Sequence, residues 1–493
     1  MEGSRAIPAA ELEAALADRV GKPLGFAGLQ AAADAVAAYY RERGLHATAY
    51  LPEQSLEGGM VRIVVAEGRL GRIQVSSPAG ARLPVELIEQ MMQAGQQPGQ
   101  VIQIQTLARA ARLANEVPGV EASVTLAAGA APGETDVKVV LSARPVFDAS
   151  ITLDNHDAIA TGEVRASAAL QWANPLGLGE DWQLQAQLSE GKRHARVSGS
   201  LALGAQGTRA QWQASALQYE LVGRFSASGA SGSARTLGIG LSHPLLRLPQ
   251  GSLNASLMAE QRSFVNDSTA GVLSDKSART LSLSFSGDRS DNWAGGGVTT
   301  GSFTMTTGSL DLSGEPADAL ADAAGPRRAG AYAKLGWQLA RLQRLAPDTT
   351  LWLQAYGQQS DNNLDSSERI SLGGPSGVRA YPLSEVSGDS GTVATVEVRH
   401  RFSDAWQLAA FVDHGRVRQD ARPWGASSSQ SLSLNGVGLA AEWRLRLSPS
   451  QSVITRLTLA QRLGRHPAPN ADGSDSDGTL RKPRVWLSVQ GSL

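Results

Sequence analysis

The chain has 493 residues, a formal charge of −1 from 45 basic and 46 acidic side chains, and 42% hydrophobic residues. That balance excludes the basic footprint of a nucleic-acid binder, and the absence of cysteine excludes disulfide scaffolds, thiolate metal sites and cysteine nucleophiles. No run approaches the roughly 18 apolar residues of a membrane helix, which still allows a β-barrel, whose apolar surface is carried by every second residue.

Met1–Ala10 lacks the charged start and apolar run of a secretion signal. The chain is therefore expected either to remain in the cytoplasm or to have lost such a segment. Helical spacing of Leu12, Ala15, Leu16 and Val20 predicts a helix over Ile7–Val20. Ala33, Val36, Ala37 and Tyr40 predict a second over Leu29–Arg43, stopped by Gly44. Strands follow at Ala47–Leu51 and Met60–Ala66. The pattern then recurs, with a strand at Arg72–Ser76, helices at Pro84–Gln93 and Gln103–Glu116, and strands at Val120–Leu126 and Thr135–Ser142. This reads either as two repeated α+β modules, the first without its opening strand, or as two unrelated ones.

After Ala143-Arg144-Pro145 the period switches to two. Leu281, Leu283 and Phe285 interleave with Thr280, Ser282, Ser284 and Ser286; Trp182, Leu184, Ala186 and Leu188 interleave with Gln183, Gln185 and Gln187. About sixteen such runs fit residues 146–493 at about 22 residues per strand and connection, each as long as a tilted membrane strand requires. Short connections at Gly204–Thr208, Ser403–Ala405 and Ser448–Ser450 alternate with long polar ones. The long ones are expected at Glu220–Ala234, Ser263–Ser277, Thr307–Arg328, Ser360–Ser390, Arg418–Ser431 and Leu463–Lys482. Alternation of this kind predicts a sixteen-stranded antiparallel barrel with two unlike rims; a soluble sandwich would carry shorter strands. A barrel in an outer membrane must first cross the inner one, so the lost-segment reading of the N-terminus is preferred.

Parity sends Trp406, Leu408, Ala410 and Val412 toward lipid and Gln407, Phe411, Asp413 and Gly415 toward the lumen. It likewise turns Glu397, Arg399 and Arg401 inward, and Glu442, Arg444 and Arg446 on a later strand. Trp172, Trp182, Trp406 and Trp486 near strand ends are expected to form interfacial girdles. His414 is expected on the rim or surface, and the acidic run Asp472–Asp477 on a solvated outer loop, since it lacks the closing glutamate of a calcium loop. Neither a Gly-x-Ser-x-Gly elbow nor a phosphate-binding loop occurs, and no histidine pair has metal spacing. No enzyme activity, cofactor or metal is expected.

Three stretches carry a family resemblance. Tyr50-Leu51-Pro52-Glu53-Gln54-Ser55-Leu56-Glu57-Gly58-Gly59, with Glu67-Gly68, resembles the polypeptide-transport-associated (POTRA) domains of two-partner secretion transporters. Leu153-Asp154-Asn155…Thr161-Gly162 and Asn174-Pro175-Leu176-Gly177-Leu178-Gly179-Glu180 look like the start of those transporters' barrels. Leu372-Gly373-Gly374-Pro375-Ser376-Gly377-Val378-Arg379-Ala380-Tyr381 is similar to the signature of their sixth extracellular loop, and Phe411-Val412-Asp413-His414-Gly415 to its partner strand motif. The resemblance implies POTRA modules at residues 1–69 and 70–143 and a barrel at residues 144–493. Ala380 departs from the usual glycine and Leu493 from the usual terminal aromatic, and the plug helix and linker of some members would be expected ahead of Met1.

The resemblance further implies an outer-membrane transporter that captures an unfolded exoprotein in the periplasm and passes it to the surface, with activation of a haemolysin-type client as an added role. Its implied partners are an adhesin, haemolysin or contact-dependent toxin, outer-membrane lipid, periplasmic chaperones and the barrel assembly machinery, with no nucleic acid. A planar guanidinium binds a carboxylate through two bonds, so Arg379–Asp413 is a credible latch for the loop, with Gly373 and Gly374 giving the tight path and Val378, Tyr381, Phe411 and Gly415 around it. A solvated Arg379 and an ordinary pore-lining Asp413 are the alternative. Glu397, Arg399, Arg401, Glu442, Arg444 and Arg446 would line the lumen. Alternative functions are a BamA-like assembly factor and a passive porin.

Overall fold

A computed structural model describes residues 1–79, 81–131, 133–425 and 431–492; Leu493 lies outside them, as does part of the connection after Arg418. The chain forms two compact units. The first comprises residues 1–146, 173–180 and 202–208, and the second the remainder.

In the first unit, helices Ala9–Ala15 and Phe26–Glu42 pack Leu12, Ala33, Val36 and Tyr40 with Val65 of a two-stranded sheet, Ala47–Tyr50 with Val64–Glu67, and with Ile63 just ahead of it. Glu2 makes a parallel bridge with Val64. It stands where the following module places a full parallel strand. There, Arg69–Ser76 runs parallel to Glu134–Ala143, which pairs antiparallel with Val120–Ala128. Helices Val85–Gln93 and Ile104–Asn115 cover one face through Ile88, Met91, Met92, Leu113 and Ala114.

The POTRA-like residues have structural reasons. Gln54 clasps the backbone at Arg62, accepting from its amide at 2.7 Å and donating to its carbonyl at 2.8 Å. Glu67 is buried, and its Oε1 accepts from the amides of Arg5 (2.7 Å) and Ala6 (2.6 Å) and from the Tyr40 hydroxyl (2.9 Å). Burial alone would raise this carboxyl, but those donors and Arg69 outweigh it and hold it below its ordinary value. At Gly68 a Cβ would stand 2.4 Å from the His46 ring. The turn Asn174–Glu180 belongs to this unit: Asn174 donates to the Arg82 carbonyl at 2.8 Å, and Glu180 accepts from the Leu178 amide at 2.9 Å.

The second unit is a closed barrel of sixteen strands, from Phe147–Asp154 to Arg484–Ser492. The last strand closes on the first through five pairs, Ser488–Asp154 to Ser492–Ser150, and the Asn155 amide extends this seam by bonding the Val485 carbonyl (3.0 Å) and the Leu487 amide (2.8 Å). Parity holds along Trp406–Arg418: Trp406, Leu408, Ala410 and Val412 are exposed on the outer wall, whereas Phe411, Asp413 and Gly415 are buried. Exposed His414 bonds Asn435 at 2.8 Å.

Three expectations need correction. Ser263–Ser277 is no long loop, because strands Gly251–Ser268 and Gly271–Asp291 run on and meet in a tight turn. At 18 and 21 residues they outreach the ~9–11 residues a membrane crossing takes; beyond the hydrocarbon no apolar alternation is required, so the sequence there looks like loop. Within Thr307–Arg328 the strand continues to Asp311, and a helix, Pro316–Ala324, follows. Trp486 is not a girdle residue, since it is 3% exposed and turned inward.

Candidate functional site

The 29-residue connection between Ser360 and Ser390 folds back into the barrel. A short hairpin, Ile370–Leu372 with Val386–Gly388, forms its stem. Gly373 (φ 94°) and Gly374 (φ 90°) turn the chain, and a Cβ at Gly373 would meet the Pro382 carbonyl at 2.2 Å. Ala380 does not adopt a left-handed conformation, so the departure from glycine costs no backbone strain. Its Cβ instead fills the space left by Gly436, where a Cβ would lie only 2.8 Å away.

The tip carries Arg379 to the wall. Its Nε and Nη2 bond the two oxygens of Asp413 at 2.9 and 2.8 Å, and its own amide donates to Asp413 at 3.1 Å. Nη1 meets Glu397 at 2.5 Å, and the guanidinium lies 3.3 Å above the Phe411 ring. Thr395 gives Asp413 a further bond at 2.9 Å; Asp413 is 0% and Glu397 2% exposed. Sequence reasoning paired Arg379 with Asp413 but gave Glu397 only a lining role. Glu397 is a second acceptor, itself braced by Arg399 (2.8 Å) and Arg456 (3.2 Å). Trp486 Nε1 donates to the Arg379 carbonyl at 2.8 Å.

Val378, Tyr381, Leu372 and Val386 pack with Phe411, Val393 and Leu434 in one buried cluster. Gly415 makes room for it, because a Cβ there would stand 3.0 Å from both Leu372 and Val378. Glu442 and Arg444 pair with each other at 3.4 Å. Arg401 pairs with exposed Asp348 at 3.2 Å and is itself exposed at its strand's end, so it belongs to the rim rather than to the enclosed wall.

Two more anchors hold the loop, neither seen in the sequence. At its root Asp365 binds Lys276 (2.7 and 2.8 Å), and Glu368 binds Arg262 (2.7 Å) and Lys334 (2.8 Å). On the tip's flank, Glu385 accepts from His466 Nε2 at 2.6 Å and from the Ser476 hydroxyl at 2.7 Å. Contrary to the solvated-loop expectation, Asp475 of the acidic run is fully buried, bonded to Arg462 and, at 2.9 Å, to Arg484.

Glu385, His466 and Asp475 could in principle surround a cation. The Ala468 amide, however, donates to His466 Nδ1 at 3.1 Å. That places the imidazole proton on Nε2, where it serves Glu385, and two arginines already neutralise Asp475. The cluster is an ion-paired knot.

A family model described as haemolysin secretion/activation protein ShlB/FhaC/HecB matches residues 133–444, and a ShlB-type POTRA domain model matches residues 1–68. The heme/hemopexin transporter protein HuxB of Haemophilus influenzae (strain 86-028NP) is 26% identical over 489 residues, 97% of this chain and 83% of that protein. The outer membrane transporter CdiB of Escherichia coli O6:K15:H31 is 27% identical over 428 residues, 85% of this chain and 70% of the relative. Among solved structures, CdiB from Escherichia coli superposes with a TM-score of 0.74 at 21% identity, covering 100% of this chain and 89% of the other. BamA from Haemophilus ducreyi lacking POTRA domains 1–3 gives 0.57 at 13% identity, covering 98% and 97%. Those superpositions establish the fold. With a family match over more than half of its length, a POTRA match ahead of it and a closed barrel, the chain belongs to the ShlB/FhaC/HecB family, the outer-membrane transporters of two-partner secretion.

Proposed function

We propose that the modules at residues 1–69 and 70–143 capture one unfolded exoprotein in the periplasm by adding an extended segment to a sheet edge. Residues 144–493 then pass it outward, and folding outside prevents its return. The sequence offers no nucleotide site, so folding supplies the direction. The client is a long exoprotein of the adhesin, haemolysin or contact-dependent toxin class, and a haemolysin-type client would also be activated. Periplasmic chaperones keep it unfolded, and the barrel assembly machinery inserts the transporter itself. In this reading Arg379, Asp413 and Glu397 hold the loop tip in one state during transport.

The observation that carries the reading is the enclosed Arg379 latch in a barrel preceded by two α+β modules, for which a passive porin has no use. The test reconstitutes the full chain in liposomes with its POTRA modules outside and adds the unfolded exoprotein that its host secretes. Time-dependent protection of that exoprotein from external protease is expected. Membrane insertion of an unfolded outer-membrane barrel, with no protection of the exoprotein, would favour the assembly-factor reading instead.

A further inference from the structure

The backbone of Arg379 is held on both sides. Its amide donates to Asp413 on strand Trp406–Arg418 at 3.1 Å, and its carbonyl accepts from Trp486 Nε1 on the last strand at 2.8 Å. The first bond completes the latch. The second ties the loop tip to the strand that closes the barrel, through an indole that is almost wholly buried.

That strand is lightly held where the indole stands. It shares nine pairs with the strand before it, Ser452–Arg462, but only five with the first strand, whose own ladder to Arg165–Ala173 has eight. The five pairs run from Ser488 to Ser492, so all of them follow Trp486 in the chain. Ahead of them the seam is closed by Asn155. Its backbone amide donates to the Leu487 carbonyl at 3.2 Å, and its side chain donates to the Val485 carbonyl at 3.0 Å and accepts from the Leu487 amide at 2.8 Å. Val485 and Leu487 are the two neighbours of Trp486, and the His156 ring stands edge-on to the indole with 5.8 Å between centroids.

We infer that Trp486 is a positioning residue that couples docking of the loop tip to closure of the seam ahead of Ser488. With the tip seated, the indole N–H has a buried acceptor, and its backbone lies where Asn155 bonds both flanking residues. If the seam parts there, Val485–Leu487 lose their bonds to Asn155 and the indole is free to leave Arg379. That would strand a buried carbonyl and a buried N–H, which is costly, so the docked tip and the closed seam favour one another. The coupling is reciprocal: whatever factor docking lends to closure, closure lends to docking. One bond of this kind shifts an equilibrium about two- to tenfold. Of the three ladders compared, the seam parts with the fewest pairs broken, so release of the tip would let the wall widen there. Use of such widening in export rests on the transport reading; the coupling itself does not and needs no client to be measured.

The cysteine-free chain allows the seam to be locked at will. Thr152 and Gln490 stand opposite one another. Because the amide and carbonyl of Leu487 both face the first strand, those of Gln490 face away. Thr152–Gln490 is therefore the closer, non-hydrogen-bonded kind of pair, with Cα atoms about 4.5 Å apart and within reach of a disulfide. Thr152→Cys with Gln490→Cys is placed in the full chain carrying Arg379→Ala, in which the tip is released more often and the carbonyl of residue 379 remains. Protease cleavage within residues 361–389 is then measured on intact cells with the seam oxidised and reduced. Oxidation is expected to slow cleavage about two- to tenfold. Adding Trp486→Phe, which keeps an aromatic ring and removes the N–H, is expected to abolish that difference. A merely structural tryptophan would change cleavage in both states alike and leave their ratio intact. A second measurement leaves Trp486 untouched: maleimide labelling of the reduced cysteines is expected to be faster with Arg379→Ala than with arginine in place. Cleavage indifferent to oxidation, an oxidation effect that persists in Trp486→Phe, or equal labelling would each overturn the coupling. Failure of liposome translocation alongside the expected cleavage pattern would instead sink the transport reading alone.

Discussion

Replacing Arg379 by alanine tests the latch. The change strips Asp413 of the two bonds from the guanidinium, leaving that from Thr395, and Glu397 of one, while both carboxylates stay buried. Breaking a buried pair by removing one partner costs about 3–5 kcal/mol. Against that stands the apolar packing of Leu372, Val378, Tyr381 and Val386, all at 6% exposure or less, which at about 1.5–3 kcal/mol per side chain supplies about 6–12 kcal/mol. The packing term is the larger, so the barrel assembles and the loop remains mostly docked. At 1.4 kcal/mol per decade, the ratio of docked to released loop falls by about 10² to 10⁴. The assay measures protease cleavage within residues 361–389 on intact cells together with exoprotein in the medium. Faster cleavage and reduced export are expected at unchanged barrel abundance. Normal cleavage with wild-type export would refute the reasoning. The exchange Arg379→Asp with Asp413→Arg should restore little, because Glu397 would then face an aspartate.

Other outcomes follow from the same geometry. Gly436→Ala should displace the tip and raise cleavage of the loop, and adding Ala380→Gly should reverse this by removing the opposing methyl group. Asn155→Ala removes two bonds beyond a five-pair seam, a loss of about 1–3 kcal/mol, and should lower the temperature at which the folded barrel loses its fast gel mobility. Glu67→Ala leaves two amides and the Tyr40 hydroxyl without their acceptor and should destabilise residues 1–68 by about 2–4 kcal/mol, read by hydrogen exchange in the full chain. Because the Glu67 carboxyl is held below its ordinary 4.5, its contribution is fully present above that value and is lost as pH falls through the lower folded value. Exchange in residues 1–68 should therefore accelerate on acidification below pH 4.5 in wild type and much less so in Glu67→Ala.

The barrel was legible where lipid imposes a rule. Trp406, Leu408 and Val412 must face hydrocarbon, so alternation shows in the residues themselves and fixes the lumen side of Asp413. Above the membrane that rule lapses, which is why the meeting of Gly251–Ser268 with Gly271–Asp291 looked like a loop. Trp486 was placed by residue type, although the outward Val485 and Leu487 on either side already turn it inward. The Arg379–Asp413 pair was legible through two short motifs. The root anchors were not: Lys276 and Asp365 stand 89 positions apart, and no local pattern links a lysine to its distant acid. The acidic run misled for the same reason, since the arginines that bury Asp475 come from flanking strands.

The most direct measurement of the central claim compares the host with and without this chain, quantifying secreted and outer-membrane proteins together. Loss of one large exoprotein from the medium, restored by re-expression and with other barrels at normal abundance, is the predicted result. A general fall in outer-membrane barrels with every exoprotein still secreted would contradict it.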